Sequence, residues 1–302
     1  FFFAKIFHYL FDTEGPLFTL PLPLGISFVT FTMIAYVVDV YKNVFPVEKR
    51  PIKLLAFCLY FPQLIAGPIL RPKELIPELE KKQKPLDANF KLGIAIFAIG
   101  LLKKLVFADP LGEIVDQIYQ NHIGLAGWDY LIAIYCFSVQ IYCDFSGYTD
   151  MAIGSALILG IKLPENFRKP YVATSLIDFW RRWHITLSHW LRDYLYIPLG
   201  GNRMGFINQL RNVIITMVLG GLWHGANWTF VIWGLCHGVG IAISHLLSKF
   251  HFLESLRFPK WIKILIVFHI VSFLWVFFRS PNLDTAQQIL IGLFEGSYSN
   301  FE

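Results

Sequence analysis

The stretch Leu219-Gly-Gly-Leu-Trp-His-Gly225 places an imidazole, that of His224, among glycines in the middle of a long apolar region. An ionisable side chain at membrane depth is costly, so it usually faces a cavity or a pathway. The apolar run that leads to it, residues 213–223, has eleven residues, whereas a membrane-spanning helix needs about 20. The stretch therefore predicts a membrane protein with short or broken helices and with His224 at a polar site.

Composition extends this prediction to the whole chain. Of its 302 residues, 55% are hydrophobic and only 16% are charged, compared with roughly 25% charged residues in soluble domains. We predict an all-α integral membrane protein with one domain, residues 1–302, that lacks helices at both ends. The apolar start at Phe1 has no basic region before it, which argues against a signal peptide. The candidate apolar segments are 1–11, 24–40, 53–70, 90–107, 130–159, 213–223, 228–247 and 261–278.

The distribution of basic residues predicts the orientation of the segments. No Lys or Arg occurs between Lys104 and Lys162, and the link 108–129 is acidic, so this link is expected outside the cell. The basic stretches 162–211 and 249–263 are then cytoplasmic. Because the net charge of +5 is explained by these links, we expect no nucleic-acid partner. The four cysteines lie in apolar runs without zinc-site spacing, so we expect packing roles and no metal.

Segment 53–70 differs from the others because it has basic residues on both sides. Its Pro62 and the Gly67-Pro68 pair break a helix, and lipid tolerates such breaks only where protein or water satisfies the freed backbone groups. We therefore predict a re-entrant hairpin that enters and leaves on the cytoplasmic side.

Segment 130–159 carries two carboxylates, Asp144 and Asp150, in the sequence Asp144-Phe-Ser-Gly-Tyr-Thr-Asp150. Six residues at about 100° each put them on faces about 120° apart, so we do not expect a paired acid/base dyad. Arg, Tyr or helix-end amides are the partners expected if their role is structural. Ser146-Gly147 is a predicted bend.

Residues 175–198 form a basic and aromatic block. Ser175 and Asp178 match a helix-capping pattern, and the rest predicts one amphipathic helix at an interface. Its His184 is expected to face water or a ligand; the alternative is a hydrogen-bonded histidine without a chemical role. One face carries Trp180, Trp183, Leu187, Trp190 and Tyr194, and another carries Arg181, His184, Ser188 and Arg192.

Around His224, the glycines at 220, 221 and 225 leave room for the backbone to bend and for a substrate to approach. Trp223 and Trp228 are expected to supply flat walls. An imidazole is the usual general base for activating a hydroxyl, and the alternative is a structural histidine. We expect His237 to serve packing. The turn Leu199-Gly-Gly-Asn-Arg203 lacks the Lys-Ser/Thr of a phosphate-binding loop, but it lies where a phosphorylated donor could arrive.

Together these segments resemble the membrane-bound O-acyltransferase (MBOAT) family, in its branch that acetylates alginate, peptidoglycan and related bacterial polysaccharides. The related D-alanyl transfer proteins share fewer of them. The segments are Pro23-Leu-Gly-Ile-Ser-Phe-Val-Thr-Phe31 with Asp39-Val-Tyr41, Phe61-Pro-Gln-Leu-Ile-Ala-Gly-Pro68, Asp144-Phe-Ser-Gly-Tyr-Thr-Asp150, Leu163-Pro-Glu-Asn-Phe167, Phe179-Trp-Arg-Arg-Trp-His184, Leu191-Arg-Asp-Tyr-Leu-Tyr-Ile-Pro-Leu-Gly-Gly201 and Gly221-Leu-Trp-His-Gly225.

The resemblance implies a multi-span ring of helices around a central funnel and tunnel in the bacterial cytoplasmic (inner) membrane. It matches His224 to the family's catalytic histidine and His184 to its second functional histidine. It also implies an acetyl group taken from cytoplasmic acetyl-CoA, with no other cofactor, and passed to an extracytoplasmic polysaccharide through a periplasmic partner acetyltransferase. Membrane lipid surrounds such a protein.

Further candidate residues for binding substrate or donor follow from the same blocks. The arginines suit a donor pyrophosphate, which guanidinium groups bind in bidentate fashion. The candidates are Arg181, Arg182, Trp183, Ser188, Arg203, Trp223, Asp144 and Asp150.

Two rival functions remain open at this point. A transporter or flippase for an ionic or lipid-linked substrate would use the broken helices and depend on Asp144 and Asp150 more than on His224. An acyltransferase acting on lipid or protein would share the chemistry but not the acceptor. The identity of the acceptor polymer is not predicted.

Overall fold

The computed structural model describes residues 25–64, 66–81, 87–121, 123–249 and 258–295. Within these ranges the chain forms α-helices with short 3₁₀ and π turns and no strand, so the all-helical prediction is confirmed there. The α-helices are α1 (Ile26–Tyr41), α2 (Pro51–Cys58), α3 (Phe61–Leu64), α4 (Pro72–Glu80), α5 (Asp87–Leu102), α6 (Asp109–Gln120), α7 (Gly127–Ile158), α8 (Leu176–Trp180), α9 (Ile185–Leu191), α10 (Phe206–His224), α11 (Trp228–Leu247), α12 (Lys260–Arg279) and α13 (Leu283–Glu295).

Two helices of the described part of the chain, α11 and α12, are long and apolar enough to cross a membrane, and α1 is a shorter apolar helix. They coincide closely with the predicted segments 228–247 and 261–278. The predicted segment 1–11 lies outside the described residues, as does most of the predicted basic stretch 249–263.

Helix α7 is the longest described helix, with 32 residues. It runs without interruption through Ser146-Gly147, where we predicted a bend. The glycine instead allows close helix packing: a Cβ on Gly147 would lie 2.8 Å from the carbonyl oxygen of Gly100 in α5. Gly93 and Gly154 form a second close contact between α5 and α7. Glycines without side chains thus let the two backbones meet.

The link 108–129, which we expect outside the cell, is mostly helical, and its placement outside the cell stays a prediction. A π turn over Lys103–Ala108 joins α5 directly to α6, and α6 begins with Asp109 and a proline at a position that a helix start tolerates. Lysines 103 and 104 lie in this π turn. Turns of π-helix are frequently found at functional sites. Both lysines contact carboxylates of α7, as described below.

Segment 53–70 is broken, as its prolines and glycine predict. Helices α2 and α3 are separated by two residues, and the chain is irregular from Ala66 to Arg71. Side chains satisfy the freed backbone groups: Gln63 Nε2 donates to the carbonyl oxygen of Phe57 (2.7 Å), and Thr149 Oγ1 donates to that of Ala66 (3.2 Å). This pattern agrees with a broken helix held by protein. The re-entrant path itself stays a prediction.

The block 175–198 does not form the single helix that its periodicity predicts. The Ser175 cap is confirmed, since the Asp178 amide donates to Ser175 Oγ at 3.1 Å, but α8 ends at Trp180. A turn follows, and α9 starts after His184, whose backbone is left-handed at φ 42° and ψ 56°. The prediction of one helix is therefore wrong. The block contains two short helices, α8 and α9, which are joined by a turn that ends at His184.

Helices α10 and α11 pack with their backbones in contact. A Cβ on Gly221 would lie 2.2 Å from the carbonyl oxygen of Phe230, and one on Gly234 would lie 2.4 Å from that of Met217. Helix α10 is longer than the predicted apolar run because its first turns include polar residues, and it runs without interruption through the glycines that leave room for a bend. Tight packing against α11 fixes His224 at the end of α10.

Candidate functional site

One cavity of about 270 Å³ lies among α1, α7, α8, α9, α10, α11 and α12. Both His184 and His224 line it, although they are forty residues apart in the sequence. Its walls are mostly aromatic, formed by Phe28, Phe145, Trp180, Trp183, Trp223, Trp233, Trp275 and Phe278. A largely apolar cavity with a few polar groups is the usual form of a small-molecule site.

The His224 ring is surrounded by aromatic side chains. Its centroid lies 4.6 Å from that of Trp223, 4.9 Å from Phe278 and 5.4 Å from Trp233. Within the described ranges the ring nitrogens of His224 have no hydrogen-bond partner, so they are available to a bound molecule. A half-buried imidazole with free nitrogens can accept a proton from a hydroxyl group.

His184 is held firmly from the other side of the cavity. The side chain is 2% exposed, its Nδ1 lies 3.2 Å from Asn166 Oδ1, and its ring meets that of Phe145 edge-on at 4.6 Å. Its Nε2 is buried and without a partner in the described part of the chain. The expectation that His184 faces a ligand site agrees with this position.

Asn166 also holds the unusual backbone of His184. Its carbonyl oxygen accepts the Ile185 amide at 2.9 Å, and its Oδ1 accepts the Thr186 amide at 3.1 Å. A left-handed conformation of a non-glycine residue costs about 1–3 kcal/mol and persists only where the surroundings impose it. The hydrogen bonds of Asn166 therefore offset the cost of the left-handed backbone at His184. This backbone conformation places the His184 ring at the cavity.

The indole of Trp223 forms a wall of the cavity, as predicted, and is fixed by Phe31 of α1. Phe31 is stacked between Trp223 (4.8 Å) and Trp190 (4.1 Å), and Trp190 Nε1 donates to the Phe31 carbonyl oxygen at 3.1 Å. The prediction that Trp228 forms a second wall is wrong, because this residue is 70% exposed and does not line the cavity. It lies at the start of α11, past the turn after His224.

The two carboxylates of α7 have separate partners, as their spacing predicts. Asp144 Oδ1 pairs with Lys104 Nζ at 2.7 Å, and Asp150 Oδ2 pairs with Lys103 Nζ at 2.6 Å. The expected partners were wrong in kind, since lysines of the π turn take the place of Arg, Tyr or helix ends. Only Asp144 lines the cavity.

The polar candidates from the basic block 175–198 and from the turn 199–203 lie away from the cavity, apart from His184. Arg181 and Arg203 are exposed, Arg182 Nε pairs with Asp178 Oδ1 at 2.7 Å, and Ser188 Oγ donates to the Trp183 carbonyl oxygen at 3.5 Å. Their part in binding a donor stays a prediction.

Sequence reasoning did not select Asn166 or Trp233. Asn166 is 1% exposed and belongs to the segment Leu163-Pro-Glu-Asn-Phe167, which carried part of the family resemblance but gave no role for Asn166. Its signal was a polar residue with a short side chain between prolines. Trp233 has a buried Nε1 without a partner in the described ranges, and it gave no signal beyond its place on an apolar helix.

The family model of the membrane-bound O-acyltransferases (MBOAT) matches residues 49–280. "Probable alginate O-acetylase AlgI" of Azotobacter vinelandii is 44% identical over 90% of this chain and 54% of its own length. "Peptidoglycan O-acetyltransferase" of Helicobacter pylori is 42% identical over 97% of this chain and 60% of its own length. "Teichoic acid D-alanyltransferase" of Bacillus subtilis is 32% identical over 85% of this chain and 69% of its own length. The chain thus spans a little over half the length of the first two relatives.

Proposed function

Because the chain belongs to the membrane-bound O-acyltransferase family, whose members are integral membrane proteins, we propose that it transfers acetyl groups from cytoplasmic acetyl-CoA to hydroxyl groups of an extracytoplasmic polysaccharide. Support for this acceptor class comes from identities of 44% and 42% to proteins named for alginate and peptidoglycan acetylation. The protein named for D-alanyl transfer is less similar, at 32%.

The observation that carries the proposal is the meeting of His184 and His224 at one cavity. In the proposed step, His224 takes the proton of an acceptor hydroxyl while the hydroxyl oxygen attacks the thioester carbonyl carbon. The bond between carbon and sulfur breaks, an ester forms, and the proton passes to the departing thiolate to give free CoA. An imidazole is suited to both halves of this proton transfer.

The size of the cavity favours a short acyl group over a lipid chain. Its volume of about 270 Å³ lies just below the range of roughly 300–1,000 Å³ for pockets that hold drug-sized ligands. The indoles of Trp180, Trp183 and Trp275 are part of its wall. An acetyl group with part of an acceptor fits this space, whereas a long acyl chain needs more.

In this proposal Arg181, Arg182 and Arg203 contact the phosphates of the donor outside the cavity, as guanidinium groups suit phosphate oxygens. The remaining features belong to the same proposal: a single multi-pass domain in the bacterial inner membrane, a funnel open to the cytoplasm, and delivery of acetyl groups to a periplasmic partner acetyltransferase.

The test supplies labelled acetyl-CoA to vesicles that contain the full-length protein and asks which molecule gains acetate. His224→Ala should reduce transfer to background while the protein stays in the membrane. His269→Gln is the matched control, because His269 is exposed and its Nδ1 lies against its own helix at the Leu265 carbonyl oxygen (2.7 Å); it should transfer normally.

The variant Asp150→Asn distinguishes acyl transfer from the transporter hypothesis, which depends on Asp150. Asp150 is paired with Lys103 and does not line the cavity, so its variant should keep most of the acetyl transfer. Unchanged transfer in His224→Ala, or label that crosses the membrane without being joined to an acceptor, would overturn the proposed function. Label found in lipid, or in a protein other than the periplasmic partner acetyltransferase, would assign the rival acceptor.

A further inference from the structure

The hydrogen bonds around Asn166 determine which of its side-chain atoms faces His184. The Thr186 amide lies 3.1 Å from the same atom of Asn166 that approaches His184 Nδ1 at 3.2 Å. A backbone N–H can only donate, so that atom is the carbonyl oxygen Oδ1 and not the NH₂ group. Thr186 Oγ1, 2.9 Å away, also binds this oxygen.

The other end of the Asn166 amide is fixed as well. Its Nδ2 donates to Thr149 Oγ1 at 3.4 Å, and Thr149 Oγ1 donates in turn to the Ala66 carbonyl oxygen at 3.2 Å. Both Asn166 and Thr149 are 1% exposed. A flipped amide would set two donors against each other at a buried site, which costs more than an ordinary hydrogen bond is worth.

An oxygen at this position determines the tautomer of His184. An amide oxygen has no proton to give, so the contact at 3.2 Å requires a proton on Nδ1. A neutral imidazole with its proton on Nδ1 has a bare lone pair on Nε2. This Nε2 is buried, has no partner in the described part of the chain, and belongs to a ring that lines the cavity.

We propose that Asn166 is a positioning residue that holds neutral His184 as its Nδ1–H tautomer, so that Nε2 accepts a hydrogen bond from a hydroxyl group of the acceptor next to the one whose proton His224 takes. The thioester carbonyl oxygen of the donor is itself an acceptor and cannot bind a bare Nε2. His184 therefore serves the hydroxyl side of the reaction. This assignment of a substrate group rests on the proposed function; the tautomer does not.

The tautomer is tested by ¹⁵N NMR of the full-length protein labelled at histidine, with His184→Gln to assign the signals. Wild type should show a protonated Nδ1 and a bare Nε2 for His184. Asn166→Asp keeps an acceptor oxygen and should preserve this pattern. Thr149→Val should also preserve it, because it removes the partner of Nδ2 and the hydrogen bond to the Ala66 carbonyl oxygen but leaves the contact of Oδ1 with His184 in place. Asn166→Ala should give a mixture of tautomers. A protonated Nε2 in wild type, or an unchanged spectrum in Asn166→Ala, overturns the proposal.

Kinetics test the assignment to the hydroxyl side. Asn166→Ala should lower kcat for acetyl transfer about tenfold, because the acceptor is then held less well in the geometry for attack, while KM for acetyl-CoA stays within about twofold. Asn166→Asp should recover most of the rate. A rise in KM for acetyl-CoA with unchanged kcat would place His184 on the donor side and overturn this assignment. If wild type lacks the expected NMR pattern of His184 while His224→Ala is still inactive, only this inference is overturned. If wild type shows no acetyl transfer, the proposed function is overturned and the tautomer assignment is not.

Discussion

Two histidines of the aromatic core near the cavity differ in their hydrogen-bond partners. His184 faces an oxygen acceptor with Nδ1, whereas His237 accepts the Trp180 indole N–H with Nδ1 at 3.2 Å. Because an indole nitrogen only donates, His237 carries its proton on Nε2, the opposite tautomer. His237 is also fully buried and is not among the residues that line the cavity. Residue type alone thus does not separate a site histidine from a packing histidine.

Replacement of His237 should therefore affect stability more than chemistry. His237→Phe keeps an aromatic ring but leaves the buried Trp180 N–H without an acceptor, which should destabilise the protein by about 1–3 kcal/mol. Thermal unfolding in detergent measures this loss. The double variant His237→Phe/Trp180→Phe removes both partners and should recover part of the stability. Complete loss of acetyl transfer by folded His237→Phe, to the level of His224→Ala, would contradict a packing role.

At the scale of elements, the adjacent glycines Gly220 and Gly221 of α10 differ in the space that a side chain would have. A Cβ on Gly221 would lie 2.2 Å from the Phe230 carbonyl oxygen, whereas one on Gly220 would meet only the end of the Leu191 side chain at 3.2 Å. Gly221→Ala should force α10 and α11 apart and cost about 1–3 kcal/mol or more, as overpacking does. Gly220→Ala should be nearly neutral, because Leu191 can move and alanine favours a helix.

Unfolding temperature and acetyl transfer of the two glycine variants measure this difference. Both should fall for Gly221→Ala, because separation of the helices also displaces His224 at the end of α10. Equal effects of the two substitutions would show that the close contact of the α10 and α11 backbones is not what positions His224.

The elements that sequence predicted correctly are those set by local patterns. The Ser175 cap needs only Asp178, three residues away, and the apolar runs of α11 and α12 are long enough to be recognised alone. The break at His184 could not be predicted this way. It depends on Asn166, which is eighteen residues earlier and competes for the amides of Ile185 and Thr186. The break changes the predicted faces, because Arg181 and Arg192 of the polar face are exposed whereas His184 of the same face is buried.

The shared cavity shows the same limit. The sequence singled out His184 and His224 separately, through the cost of a buried imidazole and through helical spacing, but it gave no distance between them. Their common cavity depends on α1, whose Phe31 is stacked between Trp223 and Trp190. Contacts between aromatic rings far apart in sequence follow from packing, which no local pattern records.

At the scale of the whole molecule, the length of α7 bears on how the chain crosses the membrane. Its 32 residues span about 48 Å at about 1.5 Å per residue, which exceeds a hydrocarbon core of about 30 Å. The acidic link 108–129, which contains α6, precedes α7, and the basic stretch 162–211 follows α7. Although α7 is less apolar than α11 and α12, its length and the charges on either side of it together predict that α7 crosses the membrane and ends in the cytoplasm.

Single cysteines near the two ends of α7 test this orientation. Asn121 and Glu165 are both exposed, and acidic residues contribute little to orientation, so Asn121→Cys and Glu165→Cys should leave the topology intact. In a background without Cys58, Cys136, Cys143 and Cys236, a membrane-impermeant maleimide added to intact cells should label position 121 at once and position 165 only after permeabilisation. The cysteine-free parent is the control and should stay unlabelled. Labelling of both positions from outside would show that α7 does not cross, and labelling of position 165 alone would reverse the orientation and put the basic stretch 162–211, with Arg181, Arg182 and Arg203, on the side away from cytoplasmic acetyl-CoA.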